Sequence, residues 1–327
     1  MKLLVIGDAQ RVEKYLPDLP IVEQVEHIVA PRGMSDEDIL ALASDADVIM
    51  ADAISPVSAQ LIEGMPNLRL IHSEGVAYNA IDVAAATEHG VAVCNNAGVN
   101  ASAVAEQTIL LMLACLRDFV EGDAAVREGR QIQAKESLMV SGIRELGDCT
   151  VGFIGFGAIA QATALRLANW GCTMLYNKRH RLSEDEEARL NVSYATQDEI
   201  VRCCDIVSIH VPVTPQTEGL VDEAFLDAMK PNAILINTAR GEVIDQEALA
   251  VALEEGHIGM AGLDVLSPEP VQPDNPLLQL SADASRRLVL SPHIGGVTEG
   301  MFYRAHRAVW DNIARLAEGE ELVNRVN

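Results

Sequence analysis

Residues 151–181 constrain the fold more than any other stretch of this chain. The apolar run 151–154 has the length of a buried strand. It leads into Gly155-Phe156-Gly157-Ala158-Ile159-Ala160, and apolar residues then recur at helical spacing. Strand, glycine-rich turn and helix in this order are the phosphate-binding turn of a dinucleotide site, with alanine in the third glycine place. Gly155 permits the tight turn, and Gly157 lets backbone N–H groups approach a pyrophosphate. The helix behind them offers its N-terminus to the anion. A second strand, residues 173–176, runs out into Asn177, Lys178, Arg179, His180 and Arg181. An NAD site usually carries a carboxylate there to accept from the ribose 2′-hydroxyl. An amide followed by cations suits a 2′-phosphate instead, so NADP(H) is expected over NAD(H). The plainer alternatives are an ordinary strand-turn-helix and a solvated basic loop.

A chain of 327 residues is long enough for two domains with separate cores. Its formal net charge of −24 argues against a nucleic-acid or anionic-membrane partner, whose phosphates call for cations. An anionic substrate would therefore need a local positive site, which draws attention to individual arginines. The six cysteines form no C-x-x-C pattern and several sit in apolar runs, as expected of reduced core residues in a cytoplasmic protein. The adjacent Cys203 and Cys204 are read as packing rather than redox residues. No apolar run approaches a membrane span, no signal peptide is recognisable, and no metal-ligand cluster is expected.

Strand and helix patterns alternate along the chain, the mark of an α/β protein with parallel sheets. Short β-like runs fall at 2–6, 48–51, 68–72 and 91–94, with helical segments at 35–43 and 58–63 between them. A long apolar helix is expected at 102–117. Residues 119–149 are polar and irregular and read as a connection or arm. Six further strands, at 151–154, 173–176, 206–211, 233–237, 260–264 and 288–291, make a doubly wound dinucleotide domain. The last helix, 300–318, has no strand after it and is assigned back to the first domain. The expected architecture is a doubly wound, parallel-sheet Rossmann cofactor domain (102–295) inserted in a smaller flavodoxin-like α/β substrate domain (1–101 and 296–327).

Reactive side chains in such folds stand just past the carboxyl ends of strands. Three strand ends carry candidates: Arg240 after Asn237, Glu269 after Asp264, and His293 after Ser291. They suit hydride transfer to a 2-oxo acid. An imidazolium can protonate the carbonyl oxygen near neutral pH. A carboxylate on its other nitrogen would orient the ring, and a guanidinium can grip carboxylate and carbonyl together. The rival readings are a phosphate-binding arginine, a surface-turn glutamate and a structural histidine. A rival imidazole, His210, lies on an apolar strand and is read as packed or backbone-bonded.

Five ordered segments carry a family resemblance: residues 155–160, 210–214, 236–241, 262–265 with Glu269-Pro270, and 292–296. Together they resemble the D-isomer-specific 2-hydroxyacid dehydrogenases across nearly the whole chain. The resemblance implies that Arg240, Glu269 and His293 are catalytic. It implies cofactor contacts at Gly155, Gly157, Ala158, Ile159, Asn177, Lys178, Arg179, Val211, Pro212, Thr238, Ala239, Asp264, Gly295 and Gly296. In the first domain, residues 75–82 are similar to the family's substrate loop, implying that Gly75, Val76 and Ala77 hold the substrate carboxylate through backbone N–H groups. Asn100, in a segment similar to the family's domain connection, would lie near the substrate, as would Arg240. Ala77 replaces the usual second glycine and would be strained if the backbone there had positive φ. A carboxylate at Glu74, beside an anion site, is unexpected.

The loop 177–181 resembles NADPH-dependent glyoxylate and hydroxypyruvate reductases. A small-molecule 2-oxo or D-2-hydroxy acid is thus the expected partner, and a homodimer the expected assembly. The alternatives are an NAD-dependent phosphoglycerate-type dehydrogenase and a dinucleotide-sensing, corepressor-like binding protein.

Overall fold

Strands form here where apolar runs are buried on both faces, as parallel sheets require. The computed structural model describes residues 1–327. It divides into two units, Met1–Asn100 with Val297–Asn327, and Ala101–Gly296. Each is a wholly parallel sheet flanked by helices.

The first unit has strands β1 (Lys2–Gly7), β2 (Glu26–Pro31), β3 (Val48–Ala51), β4 (Leu70–Ser73) and β5 (Ala92–Cys94). Their order is β2-β1-β3-β4-β5, all parallel. Alternate side chains of β1 feed opposite cores. Leu4 and Ile6 join one with Ile49 and Ile71, while Leu3 and Val5 join the other with Val309, Trp310 and Ile313. Those last three lie on the helix Glu299–Glu318, which Thr298 caps through the Met301 N–H and Gly319 ends in a left-handed turn. The carboxyl ends are in register, Ile6 opposite Ala51 and Ala51 opposite Ser73. Residues following β1, β3 and β4 therefore share one edge.

The second unit has strands β6 (Thr150–Ile154), β7 (Thr173–Asn177), β8 (Ser193–Tyr194), β9 (Ile206–Ile209), β10 (Ile234–Asn237), β11 (Met260–Leu263) and β12 (Leu288–Leu290). Their order is β12-β11-β10-β9-β6-β7-β8. The chain runs outward from β6 to β8, then returns to place β9 on the other side of β6. That reversal is a topological switch point, where open α/β sheets bind ligands. The helix Ala101–Leu116 packs on this sheet so closely that a Cβ at Gly262 would lie 3.1 Å from the Leu111 Cβ.

The sequence pattern overlooks three features. β2 is an edge strand buried only at Ala30, so it shows no continuous apolar run. β8 is only two residues long. The stretch read as an irregular arm contains two helices, Phe119–Arg127 and Gln131–Ser141. They bury one residue and none respectively, so neither displays a core-facing stripe in the sequence. No helix is long and apolar enough to cross a membrane.

His72 on β4 is fully buried. Its Nδ1–H donates to the Ser73 carbonyl at 2.9 Å, which leaves Nε2 to accept from the Asn312 amide at 3.1 Å. Burial pushes the imidazole down to about 4 from its ordinary 6.5. The unfolded chain thus takes up a proton that the folded chain refuses. The stability contributed by the neutral ring is complete above 6.5 and is lost as pH falls towards 4. The slope within that window approaches about 1.4 kcal/mol per pH unit. Urea unfolding across this range should give a steeper decline for the wild type than for His72→Gln, and parallel curves would refute the assignment.

Candidate active site

β10, β11 and β12 lie side by side with Asn237, Leu263 and Leu290 in register. The loops that follow them therefore begin on one edge. Arg240 comes three residues after Asn237, Glu269 six after Leu263 and His293 three after Leu290.

His293 and Glu269 are in direct contact, with Nδ1 2.6 and 2.8 Å from the two carboxylate oxygens. A carboxylate can only accept, so Nδ1 carries the hydrogen. Nε2 is then the nitrogen left to exchange a proton with another group. His293 has φ of 54°, a left-handed backbone uncommon for a residue with a side chain. Asp264 holds it there. The Asp264 carbonyl accepts from the His293 N–H at 2.8 Å. The Asp264 carboxylate accepts from Ser291 Oγ at 2.5 Å, the Ile294 N–H at 3.1 Å and the Gly295 N–H at 2.8 Å. Asp264 is buried, and Gln107 steadies Ser291 through a 2.9 Å bond from its amide.

The Arg240 turn is built by buried Asn237. Its Oδ1 accepts from the Ala239 N–H at 2.9 Å and its Nδ2 donates to the Arg240 carbonyl at 2.8 Å. Thr238 is buried against the Thr108 hydroxyl, while the Arg240 side chain is exposed and donates to the Ala239 carbonyl. Gly241 brings this turn against the loop after β11, since a Cβ there would meet the backbone of Leu266 and sit 2.6 Å from the Ser267 nitrogen. Gln246 then clamps that loop, donating to the Ser267 carbonyl at 2.6 Å and accepting from its N–H at 3.2 Å. Asn275 donates to both the Ser267 carbonyl and the Gln246 amide oxygen.

The glycine turn passes a steric test for a dinucleotide. Gly155 has φ of 84°, and a Cβ on it would lie 2.5 Å from the His210 carbonyl. Val211 packs on the same spot, whereas Pro212 is exposed. Gly157 precedes the helix Ala158–Leu167, has no side-chain cap and has open space where its Cβ would stand. Ala158 and Ile159 begin the helix with their N–H groups free of a capping side chain. Past β7, the Asn177 amide donates to the Ala195 carbonyl. Arg181 is already engaged. Its guanidinium grips Glu187 through two 2.8 Å bonds and, with the Tyr176 hydroxyl, holds that carboxyl down at about 2. Lys178 and Arg179 have no such partner. His210 is not backbone-bonded through its ring, which instead meets the Ser208 hydroxyl at 2.8 Å. Burial lowers its pKa to about 3, so it stays neutral.

In the first unit, residues 75–77 present one kind of group. The Gly75 carbonyl accepts from the Asn96 N–H, the Val76 carbonyl from the Asn95 amide, and the Ala77 carbonyl from the Ser73 hydroxyl. The N–H groups of Val76 and Ala77 have no protein acceptor. Ala77 is not among the residues with positive φ, so its methyl imposes no strain. Asn100 ends the first unit, partly buried. Glu74 does not face the loop as a bare charge. It is buried, gripped by Arg11, and bonded to His306 Nε2 at 2.8 Å.

The family model described as "D-isomer specific 2-hydroxyacid dehydrogenase, NAD binding domain" matches residues 109–295. The chain belongs to this family. It is therefore an oxidoreductase acting on CH–OH groups with a nicotinamide dinucleotide. The dehydrogenase is similar to a glyoxylate reductase of Korarchaeum cryptofilum, 37% identical over 88% of this chain and 85% of that one. It also resembles a D-3-phosphoglycerate dehydrogenase of Mycobacterium leprae, 34% identical over 88% of this chain but only 52% of the relative. Among solved structures it resembles the holo D-mandelate dehydrogenase of Rhodotorula graminis, with a TM-score of 0.85, 27% identity, and 100% and 97% of the two chains covered.

Sequence reasoning missed Gln246, Asn275, Ser291, Gln107 and Asn95. They act through amide or hydroxyl bonds to backbone, to one another and, for Ser291, to the Asp264 carboxylate, between residues 8 to 184 positions apart. Only the tandem Asn95-Asn96 directly after an apolar run hints at such a role. Gly241→Ala should push Leu266 and Ser267 away, lowering the stability of the dehydrogenase by about 1–3 kcal/mol. Its turnover should fall at least tenfold. Thermal melting and steady-state rates check both, and wild-type turnover would show that this close approach is dispensable.

Proposed function

We propose that this dehydrogenase reduces a small 2-oxo acid, glyoxylate or hydroxypyruvate, with NADPH. The observation that carries the reading is the bond from His293 Nδ1 to Glu269, on the sheet edge that also bears Arg240. A reduced nicotinamide, when bound, would supply a hydride to the substrate carbonyl carbon. His293, protonated at Nε2, donates that proton to the carbonyl oxygen as negative charge builds there. Glu269 keeps the ring oriented and stabilises its charged form. Arg240 holds the substrate carboxylate and carbonyl with its fork of donors. In the first unit, the free N–H groups of Val76 and Ala77 suit a substrate carboxylate, with Gly75 shaping the loop and Asn100 assigned to the substrate.

For the cofactor, the uncapped helix start behind Gly155, Gly157, Ala158 and Ile159 would hold the pyrophosphate. Val211, Pro212, Thr238 and Ala239 would line the dinucleotide, and Asp264, Gly295 and Gly296 the nicotinamide end. Lys178 and Arg179 are the cations left for a 2′-phosphate, with Asn177 beside them, because Arg181 is bound to Glu187. We further infer a homodimer. Phe119, Val120, Val126, Ile132, Met139 and Val140 are exposed apolar residues on the helices Phe119–Arg127 and Gln131–Ser141, and a second copy would cover them. The free cysteines suit the reducing cytoplasm.

His293→Ala should leave NADPH binding nearly intact while turnover of glyoxylate or hydroxypyruvate falls by orders of magnitude. Fluorescence titration and NADPH absorbance measure the two, and near-normal turnover removes the acid role. Replacing Lys178 and Arg179 together by Ala should lower kcat/KM with NADPH about tenfold more than with NADH, and equal losses would refute the 2′-phosphate assignment. Sedimentation showing only monomer would overturn the dimer.

A further inference from the structure

The carboxyl edge of the first unit's sheet carries a group of charges that the proposed chemistry does not use. Arg32 follows β2, Arg11 the turn after β1, Asp52 follows β3 and Glu74 follows β4, so four neighbouring strands contribute one each. Arg11 grips Glu74 with two donors, Nε to Oε1 at 2.9 Å and Nη2 to Oε2 at 2.7 Å. The same Nη2 lies 3.7 Å from Asp52 Oδ2. Arg32 brings Nε to 2.6 Å and Nη2 to 2.5 Å of that Asp52 oxygen. The other Asp52 oxygen accepts from the N–H groups of Ser55 at 2.8 Å and Ile54 at 3.2 Å. Both carboxylates are buried, whereas half of the Arg32 side chain is exposed. Two guanidiniums thus face two carboxylates, and His306 Nε2 adds a bond to Glu74 Oε1 at 2.8 Å, so neither carboxylate is left unpaired.

This group stands where strand order reverses between β1 and β3, the ligand crevice of a five-stranded sheet in this order. It also adjoins the loop with the free N–H groups. A Cβ on Gly75 would come within 2.9 Å of the Ala53 Cβ, one residue past Asp52.

We propose that Asp52, supported by Glu74, is a specificity-determining residue that restricts the enzyme to 2-oxo monocarboxylates with a hydrogen or a short uncharged substituent. The inference rests on the substrate loop assigned under the proposed function. A monoanion needs only the N–H groups of Val76 and Ala77. A phosphate or second carboxylate on the neighbouring carbon would bring further negative charge towards two buried carboxylates whose cationic partners are already engaged. No uncompensated arginine of this group remains to receive it. A hydrogen or hydroxymethyl substituent carries no charge and meets no such repulsion.

The test compares kcat/KM for hydroxypyruvate and 3-phosphohydroxypyruvate in the full-length enzyme with NADPH, at low and moderate salt. The wild type should favour hydroxypyruvate at least a hundredfold. Asp52→Asn keeps an acceptor for Ser55 and Ile54 but frees Arg32, so the ratio should move at least tenfold towards the phosphorylated substrate. That gain should shrink as salt rises. Arg32→Gln, at a half-exposed position, should move the ratio the other way, with thermal melting confirming that the variant is folded. Opposite shifts in the two variants are not produced by a merely structural role. The proposal is overturned if the wild type uses the phosphorylated substrate as well as the free one, or if both variants leave the ratio unmoved. Absence of turnover with every 2-oxo acid sinks the function itself, a different outcome from loss of selectivity.

Discussion

One buried carboxylate, that of Asp264, organises the reactive edge. It lies just past β11, and its bonds reach Ser291, Ile294 and Gly295 while its carbonyl holds the His293 N–H. His293 sits at a left-handed φ that an alanine-like residue would abandon in a free loop. Four bonds from one residue over-determine that conformation, so the imbalance between local preference and tertiary restraint is settled in favour of the restraint. The imidazole then meets Glu269 with its Nδ1–H, which fixes the tautomer and leaves Nε2 for chemistry.

The substrate-side loop is built on the same logic with the opposite selection. Hydrogen bonds consume the carbonyls, which would repel an anion, and leave N–H groups, which attract one. Ser73, Asn95 and Asn96 tie up three carbonyls, and the neighbouring N–H groups of Val76 and Ala77 stay free. The charges behind the loop follow suit. Glu74 and Asp52 are paired with Arg11 and Arg32, so the buried acids behind the loop are compensated charges.

Much of the fold was legible because parallel strands buried on both faces read as unbroken apolar runs, and because Gly155 serves a backbone geometry that other residues resist. The same reasoning explains what was illegible. β2 lacks a continuous apolar run because it lies at the edge, and the helices Phe119–Arg127 and Gln131–Ser141 have no core to face. In the site, Arg240, Glu269 and His293 stood out as chemically capable residues past strand ends. The amides and hydroxyls that place them did not, because Gln246, Asn275 and Ser291 could serve equally well on any polar surface.

The sequence by itself determined the α/β class, the glycine turn and the three reactive side-chain types, since each follows from local periodicity, local backbone need or intrinsic chemistry. Tertiary structure alone decided which cation of the loop after β7 is engaged, with Arg181 bound to Glu187. It also decided that Glu74 is a neutralised partner and not an exposed charge, and that Ala77 sits unstrained. The Glu74 contacts join residues 63 and 232 positions apart, and even the Arg181–Glu187 pair, six apart, is made only by the way the chain turns after β7. Electrostatic and hydrogen-bond partnerships act over a few ångströms in space and leave no periodic trace along the chain.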